Sequence, residues 1–215
     1  MHRSRISPLL FAALIVASVQ SIADTPPPIV PFNAETWKSA SKEKPTTGVR
    51  MGSLHVMFEK TTLDDVRKAA LIGEISEKGD AAGNVLWLCY TNLTATPIER
   101  IWVSSNGEMG GPEHVVDGVS AQYLPNGHAT RDCPVLPENL KPLSLDQNLW
   151  LNSTESEVLN KLGAASHTVG LWRSYDYQGK MPGKCGGGYD VLNNLLLRIE
   201  NGQVVFLNAS QVTSC

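Results

Sequence analysis

Two stretches of the chain change their apolar period from helical to alternating, in the same order. The clearer one is Trp150–Gly163, WLNSTESEVLNKLG. Thr154 and Glu157 have the spacing of a capping box, in which the hydroxyl accepts from a first-turn N–H and the carboxylate reaches back to the cap. Glu155 and Glu157 place negative charge at the positive end of the helix dipole. Val158, Leu159 and Leu162 form an apolar stripe at helical spacing, and Gly163 supplies a left-handed stop. Upstream, Phe58–Gly73 (FEKTTLDDVRKAALIG) repeats the pattern with Thr62, Asp65, Val66, Ala69, Ala70 and Gly73. Asp65 is the poorer reciprocal cap because its side chain is one carbon shorter. Alternation follows each helix. It predicts strands at Val85–Asn92, Ile101–Ser105 and Val115–Leu124, then at Thr168–Gln178, Tyr189–Ile199 and Val204–Leu207. Leu54, Val56 and Phe58 alternate ahead of the first helix as an extended edge.

Further landmarks recur in order. Leu86-Trp87-x-x-Tyr90 is matched by Leu171-Trp172-x-x-Tyr175, Asn106-Gly107 by Asn201-Gly202, and the run ending at Cys133 by the run ending at Cys215. The pattern predicts two tandem repeats, residues 49–136 and 143–215, with the boundary near Pro137–Pro142. The expected fold class is α+β, each repeat carrying short helices packed on one face of an antiparallel sheet.

Residues 1–23 read as a signal peptide. Arg3 and Arg5 precede the apolar segment Leu9–Val19, which is too short to span a bilayer, and Ser21 and Ala23 are the small residues before a cut near Ala23. No other run approaches transmembrane length, so stable membrane insertion is not expected. Cleavage removes two arginines and no acid, which moves the formal charge from −3 to −5. That balance disfavours nucleic acid as a partner. Residues 24–48 form a proline-rich lead-in: DTPPPIVP is stiff and extended with no capacity to pack, and Asn33–Lys44 has the pattern of a short helix around Trp37.

Four cysteines in an exported chain imply disulfides. Of the three pairings possible, Cys89–Cys133 and Cys185–Cys215 place one staple in each repeat, with Cys133 and Cys215 at equivalent positions. A zinc site lacks support, since no C-x-x-C occurs and no His follows a Cys pair closely.

The set Thr154-Glu155-Ser156-Glu157-Val158, Leu162-Gly163, Trp172-x-x-Tyr175 and Asn201-Gly202-Gln203-Val204 resembles the pattern of the SmpA/BamE-like outer-membrane assembly lipoproteins. Two tandem copies with a disulfide each are similar to the architecture of the β-lactamase inhibitory protein (BLIP-like) superfamily. The resemblance covers about residues 49–215 and implies a concave sheet that grips another protein. The lipidated cysteine of the lipoproteins is missing, so the resemblance implies a periplasmic or secreted protein in the cell envelope.

Catalytic motifs fail on inspection. Gly118-Val119-Ser120-Ala121-Gln122 lacks the last glycine of a nucleophile elbow, and Gly179–Cys185 (GKMPGKC) has three residues where a phosphate loop needs four. His114, His128, Asp132 and Cys133 share an irregular stretch that reads as a turn-forming loop. Neither a cofactor nor a metal is called for, and the chain is read as no enzyme. Binding chemistry is better represented. Trp172, Ser174 and Asp176 alternate with Leu171, Arg173, Tyr175 and Tyr177, while Trp87 and Cys89 alternate with Leu86, Leu88 and Tyr90. If the leucine faces pack on the helices, Trp87 and Trp172 stand on the open side; the opposite arrangement puts both in the core. Trp102 is a third candidate. The partner-binding set is therefore Trp87, Trp102, Trp172, Ser174 and Asp176. The function expected is that of an inhibitor or immunity protein neutralising an envelope-acting toxin or hydrolase, with an envelope assembly or scaffold factor as the alternative.

Overall fold

The computed structural model describes residues 25–30, 41–80, 83–107, 110–111, 113–183 and 186–215. The signal peptide and its cleavage point, most of the Asn33–Lys44 helix and Cys185 lie outside the described residues.

The dominant element is one antiparallel sheet of eight strands in the order β3-β4-β5-β6-β11-β10-β9-β8. Its first four strands are β3 (Ser76–Lys78), β4 (Val85–Asn92), β5 (Ile98–Asn106) and β6 (Gly118–Leu124). The others are β8 (His167–Val169), β9 (Trp172–Met181), β10 (Tyr189–Glu200) and β11 (Gln203–Ser214). The seam is the antiparallel β6–β11 pair, where Ala121 faces Leu207 and Val119 faces Ala209. Asn201 and Gly202 have φ of 51° and 76° between paired Glu200 and Gln203, the backbone of a two-residue hairpin turn. A second sheet, ordered β2-β1-β7, joins β1 (Gly48–Met51) to β2 (Leu54–Met57) and to β7 (Leu143–Leu145).

The two α-helices are short, α1 at Leu63–Ala70 and α2 at Glu155–Leu162. Both start on the predicted capping boxes, Thr62 with Asp65 and Thr154 with Glu157. α1 buries Leu63, Val66 and Ala70 and stops at Leu71 in the left-handed region, two residues before the expected glycine. α2 buries Val158 alone and is capped by Gly163.

The expected fold class requires correction. The protein is predominantly antiparallel sheet in two sheets, not two tandem helix-on-sheet repeats. The reason is the cover. A two-turn helix shields little of a sheet face, so most of the cover comes from the small sheet and the segment after it. Val49, Met51 and Val56, Leu143, Leu145 and Leu149, and the helix residues Val66 and Val158 all belong to one apolar cluster with Leu88, Val103, Leu195 and Leu207 of the large sheet. This core is undivided. β7, which follows the Pro137–Pro142 stretch, pairs with β1 near the start of the described chain, Val49 facing Leu145.

Thr168–Gln178 is not one strand either. Val169 pairs with Trp172, so Gly170 (φ 56°) and Leu171 form the turn of a β8–β9 hairpin. Leu171 thereby leaves the core-facing series.

Candidate binding surface

The leucine-bearing face of β4 packs on the main core through Leu86, Leu88 and Tyr90, and on β9 Tyr175 does so while Leu171 lies in the turn and is exposed. Trp87, Trp102 and Trp172 accordingly stand on the opposite face. They occupy two separate places there. Trp87 on β4 and Trp172 on β9 are five strand positions apart, roughly 24 Å at the usual interstrand spacing.

At the β4–β5 end, the open surface expected around Trp87 and Trp102 is covered. Their exposures are 1% and 2%, and they form a small cluster with Cys89 and Cys133. Cys89 and Cys133 are disulfide-bonded across 44 residues. The bond holds the segment before Pro134 against β4, where Thr91 Oγ1 donates to Cys133 O at 3.0 Å. The lead-in supplies the rest. Trp102 Nε1 donates to Thr25 O at 2.9 Å, and Thr25 donates through N and Oγ1 to Asp132 Oδ2 at 2.6 and 2.5 Å. Thr25 of DTPPPIVP is thus anchored by hydrogen bonds, contrary to the expectation that the segment cannot pack. Burial works against the charged form of Asp132. The hydrogen bonds from Thr25, Thr130 and nearby backbone N–H groups outweigh it and hold the carboxyl below its ordinary 3.8.

At the β9–β10 end, Ser174 and Asp176 are buried. Ser174 Oγ donates to Asp176 Oδ1 at 2.8 Å, and Asn194 Nδ2 donates to both. These residues are not offered to a partner; they hydrogen-bond one another. Trp172 is half-buried and meets Phe206 edge-on, with ring centroids 5.4 Å apart.

Large apolar side chains are exposed around the sheet edge formed by β8, as they are at Leu71 and Ile72 after α1. Leu159 is 56% exposed, Val169 59% and Leu171 51%. Val169 is paired with Trp172 and shares its face. Leu159 sits one residue off the Val158–Leu162 stripe, a rotation of about 100°, and turns outward from α2. Arg173 frames the corner: its Nε and Nη2 donate to Glu155 Oε1 at 3.2 and 2.8 Å, and its Nη1 to Gly170 O at 2.9 Å. Beneath it is a depression of about 250 Å³ lined by Glu155, Leu159, Thr168, Arg173 and Tyr175. Of the predicted binding residues only Trp172 belongs here. Leu159, Val169 and Leu171 were missed because each sits in a run that reads as core; the signal available was Gly170, a turn residue inside a presumed strand.

The remaining chemistry is dispersed. His114 O accepts from Leu63 N at the start of α1, His128 O accepts from Arg100, and Asp132 accepts from Thr25. Asp117 is pushed up to about 6 by burial, but its carboxyl is engaged by Asn106 N–H at 2.8 Å. Among the described residues no group of three or more His, Cys, Asp or Glu side chains is placed to hold a metal ion. Cys215 is disulfide-bonded. No helix among the described residues is long and apolar enough to cross a membrane. No family model, curated protein or solved structure matches the chain.

Proposed function

We propose that this is an exported, non-catalytic protein that binds another protein through the β8 corner, in the manner of an inhibitor or immunity protein. The observation that carries the reading is the corner itself. Leu159, Val169 and Leu171, from a helix, an edge strand and a turn, are each more than half exposed around the β8 edge, with half-buried Trp172 on one side of the sheet and the Arg173–Glu155 pair on the other. Isolated exposed leucines are ordinary, whereas several large apolar side chains exposed around one edge strand, its turn and the helix beside it support an interaction site. Trp and Arg are the residue types most enriched among interface anchors. A sheet edge also leaves backbone N–H and C=O groups for a partner strand. The Cys89–Cys133 disulfide is compatible with a compartment outside the cytoplasm.

The test is affinity capture from an envelope extract, followed by titration of the purified partner against wild type, Leu171→Asp and Leu159→Asp. Both variants sit on exposed positions and should retain the wild-type melting temperature within a few degrees. The reading expects each to weaken the partner at least tenfold. Unchanged affinity in both would remove the corner from consideration.

A further inference from the structure

The row of side chains that β5 sends into the main core ends on a charge. Val103 and Ile101 are fully buried, and alternation brings Glu99 to the same face, 6% exposed. That place calls for an apolar residue, and a buried carboxylate is costly there unless a cation or several hydrogen bonds answer it. Glu99 has neither in full. Asn92 Nδ2 donates to Oε2 at 2.9 Å, and among the described residues Oε1 accepts no hydrogen bond and no ion pair includes Glu99. Burial raises the carboxyl above its ordinary 4.5, and the Asn92 amide and the Trp150 indole oppose the rise without cancelling it. The indole falls short of hydrogen-bond geometry, which leaves Trp150 Nε1 buried and unpartnered.

The carboxyl is held in place but not sealed in. Asn92 Oδ1 accepts from Thr94 N and Oγ1 at 3.3 and 2.8 Å, which fixes the amide that holds Glu99. Glu99 lines a depression of about 280 Å³ with Trp150, Leu143, Pro142, Thr94 and Lys141. Trp150 Nε1 is fully enclosed by protein, whereas Glu99 Oε1 is not. Lys141 lines the same space without answering Glu99. Its Nζ donates to Thr94 Oγ1 at 3.0 Å and to Glu138 Oε1 at 2.7 Å. One ammonium thus stands against two carboxylates, and one negative charge is left over.

The class of ligand follows from what is left over. An anion is repelled by Glu99. A neutral hydroxyl compound can donate to Oε1 but leaves the charge in place. A divalent metal ion needs more ligands than one carboxylate, and among the described residues no group of three or more His, Cys, Asp or Glu side chains could hold one. A primary ammonium brings both the charge and three donors, and an aliphatic stem behind it suits the apolar surface of Trp150, Leu143 and Pro142. We infer that this depression binds a primary ammonium on an aliphatic stem, as in a free alkylamine or a lysine side chain of another protein, with Glu99 as its counter-ion. It shares no described lining residue with the depression at the β8 corner, so it stands apart from the function proposed there.

The experiment titrates the full-length chain with n-butylammonium chloride and with N-acetyl-lysine methylamide, followed by ligand-detected NMR and calorimetry, with n-butanol as the uncharged control. The expected result is saturable binding of at least one amine to wild type, at least tenfold weaker binding of n-butanol, and at least a tenfold loss of amine affinity in Glu99→Gln. Tighter binding of the lysine derivative assigns the site to a protein side chain, and tighter binding of n-butylammonium assigns it to a free amine. Glu99→Leu, the kind of residue that the core position calls for, replaces Glu99→Gln if that variant fails to melt cooperatively. The inference is overturned if wild type binds neither amine, if n-butanol binds as well as the amines, or if the Glu99 variant leaves amine binding unchanged. Failure of both Glu99 variants to fold overturns it too, because the carboxylate would then serve the fold.

Discussion

The two ends of the large sheet close the same face by different means. At the β4–β5 end two tryptophans are sealed by a disulfide and by a segment from the start of the described chain. At the β9–β10 end the closed part is polar, with Ser174 and Asn194 both donating to Asp176 Oδ1 while Asp176 Oδ2 is buried without a partner. The edges differ in the opposite sense. β3 is Ser-Glu-Lys, a charged strand of the kind that deters edge pairing, whereas β8 is His-Thr-Val beside Leu159 and Leu171. Apolar closure goes with a polar edge at one end, and polar closure with an apolar edge at the other. One end therefore contributes stability and the other offers surface.

The largest effect that this contrast predicts is at the stapled end. Replacing Cys89 and Cys133 together by Ala releases a closed loop of 44 residues. The chain-entropy account puts its cost at about 4 kcal/mol. Urea unfolding of the double variant should show a correspondingly lower midpoint, and affinity at the β8 corner should not change. A loss of both would mean that the two ends are not independent.

The polar closure is weaker and differently organised. Asn194→Leu removes two hydrogen bonds from a buried group that includes a carboxylate and should cost about 2–3 kcal/mol. The combination Ser174→Ala, Asp176→Leu and Asn194→Leu should recover most of that loss, because exchanging a whole buried polar set for apolar groups is often neutral. Recovery would show that this end tolerates the apolar solution used at the other. Continued loss in the triple variant would show that the polar set does more than fill space.

Much of this asymmetry was out of reach of the residues read in order. Capping boxes are local, so the starts of α1 and α2 were legible at Thr62 and Thr154. Alternation is local too, and β4 falls on Val85–Asn92 as predicted. It also assigned Trp87 to the side away from the leucines. What it could not supply was the cover on that side, because Thr25 lies 77 residues from Trp102. The β1–β7 pairing that joins the halves is equally remote, Val49 meeting Leu145. Repeated landmarks pointed to two tandem repeats; long-range pairing brings residues of both into one main core.

Where the halves are alike, their responses should be alike, which gives the contrast its control. Thr62→Ala and Thr154→Ala each remove a hydroxyl that accepts from the third helical N–H, at 3.1 and 3.2 Å. Each should cost about 1 kcal/mol, read as equal shifts of the denaturation midpoint. A markedly larger cost at Thr154 would place α2 among the supports of the β8 corner, since its first N–H is also bonded to Gly202 O in the β10–β11 turn.

The smallest effect is a pH response confined to the stapled end. Asp132 is lowered from 3.8 in the folded state, so its contact with Thr25 contributes stability above that value and loses it as pH falls through the lower folded one. Acid should therefore release the lead-in before the fold is lost. The readout is tryptophan emission, because Trp102 gives up its Thr25 acceptor when the segment leaves. Wild type should show an emission change below pH 3.8 that is absent from Asp132→Asn. In that variant the amide keeps an acceptor for Thr25 but has no charge to neutralise. An identical change in both proteins would assign it to general acid unfolding. A change in wild type alone would establish that one carboxyl governs whether Thr25 stays on Trp102.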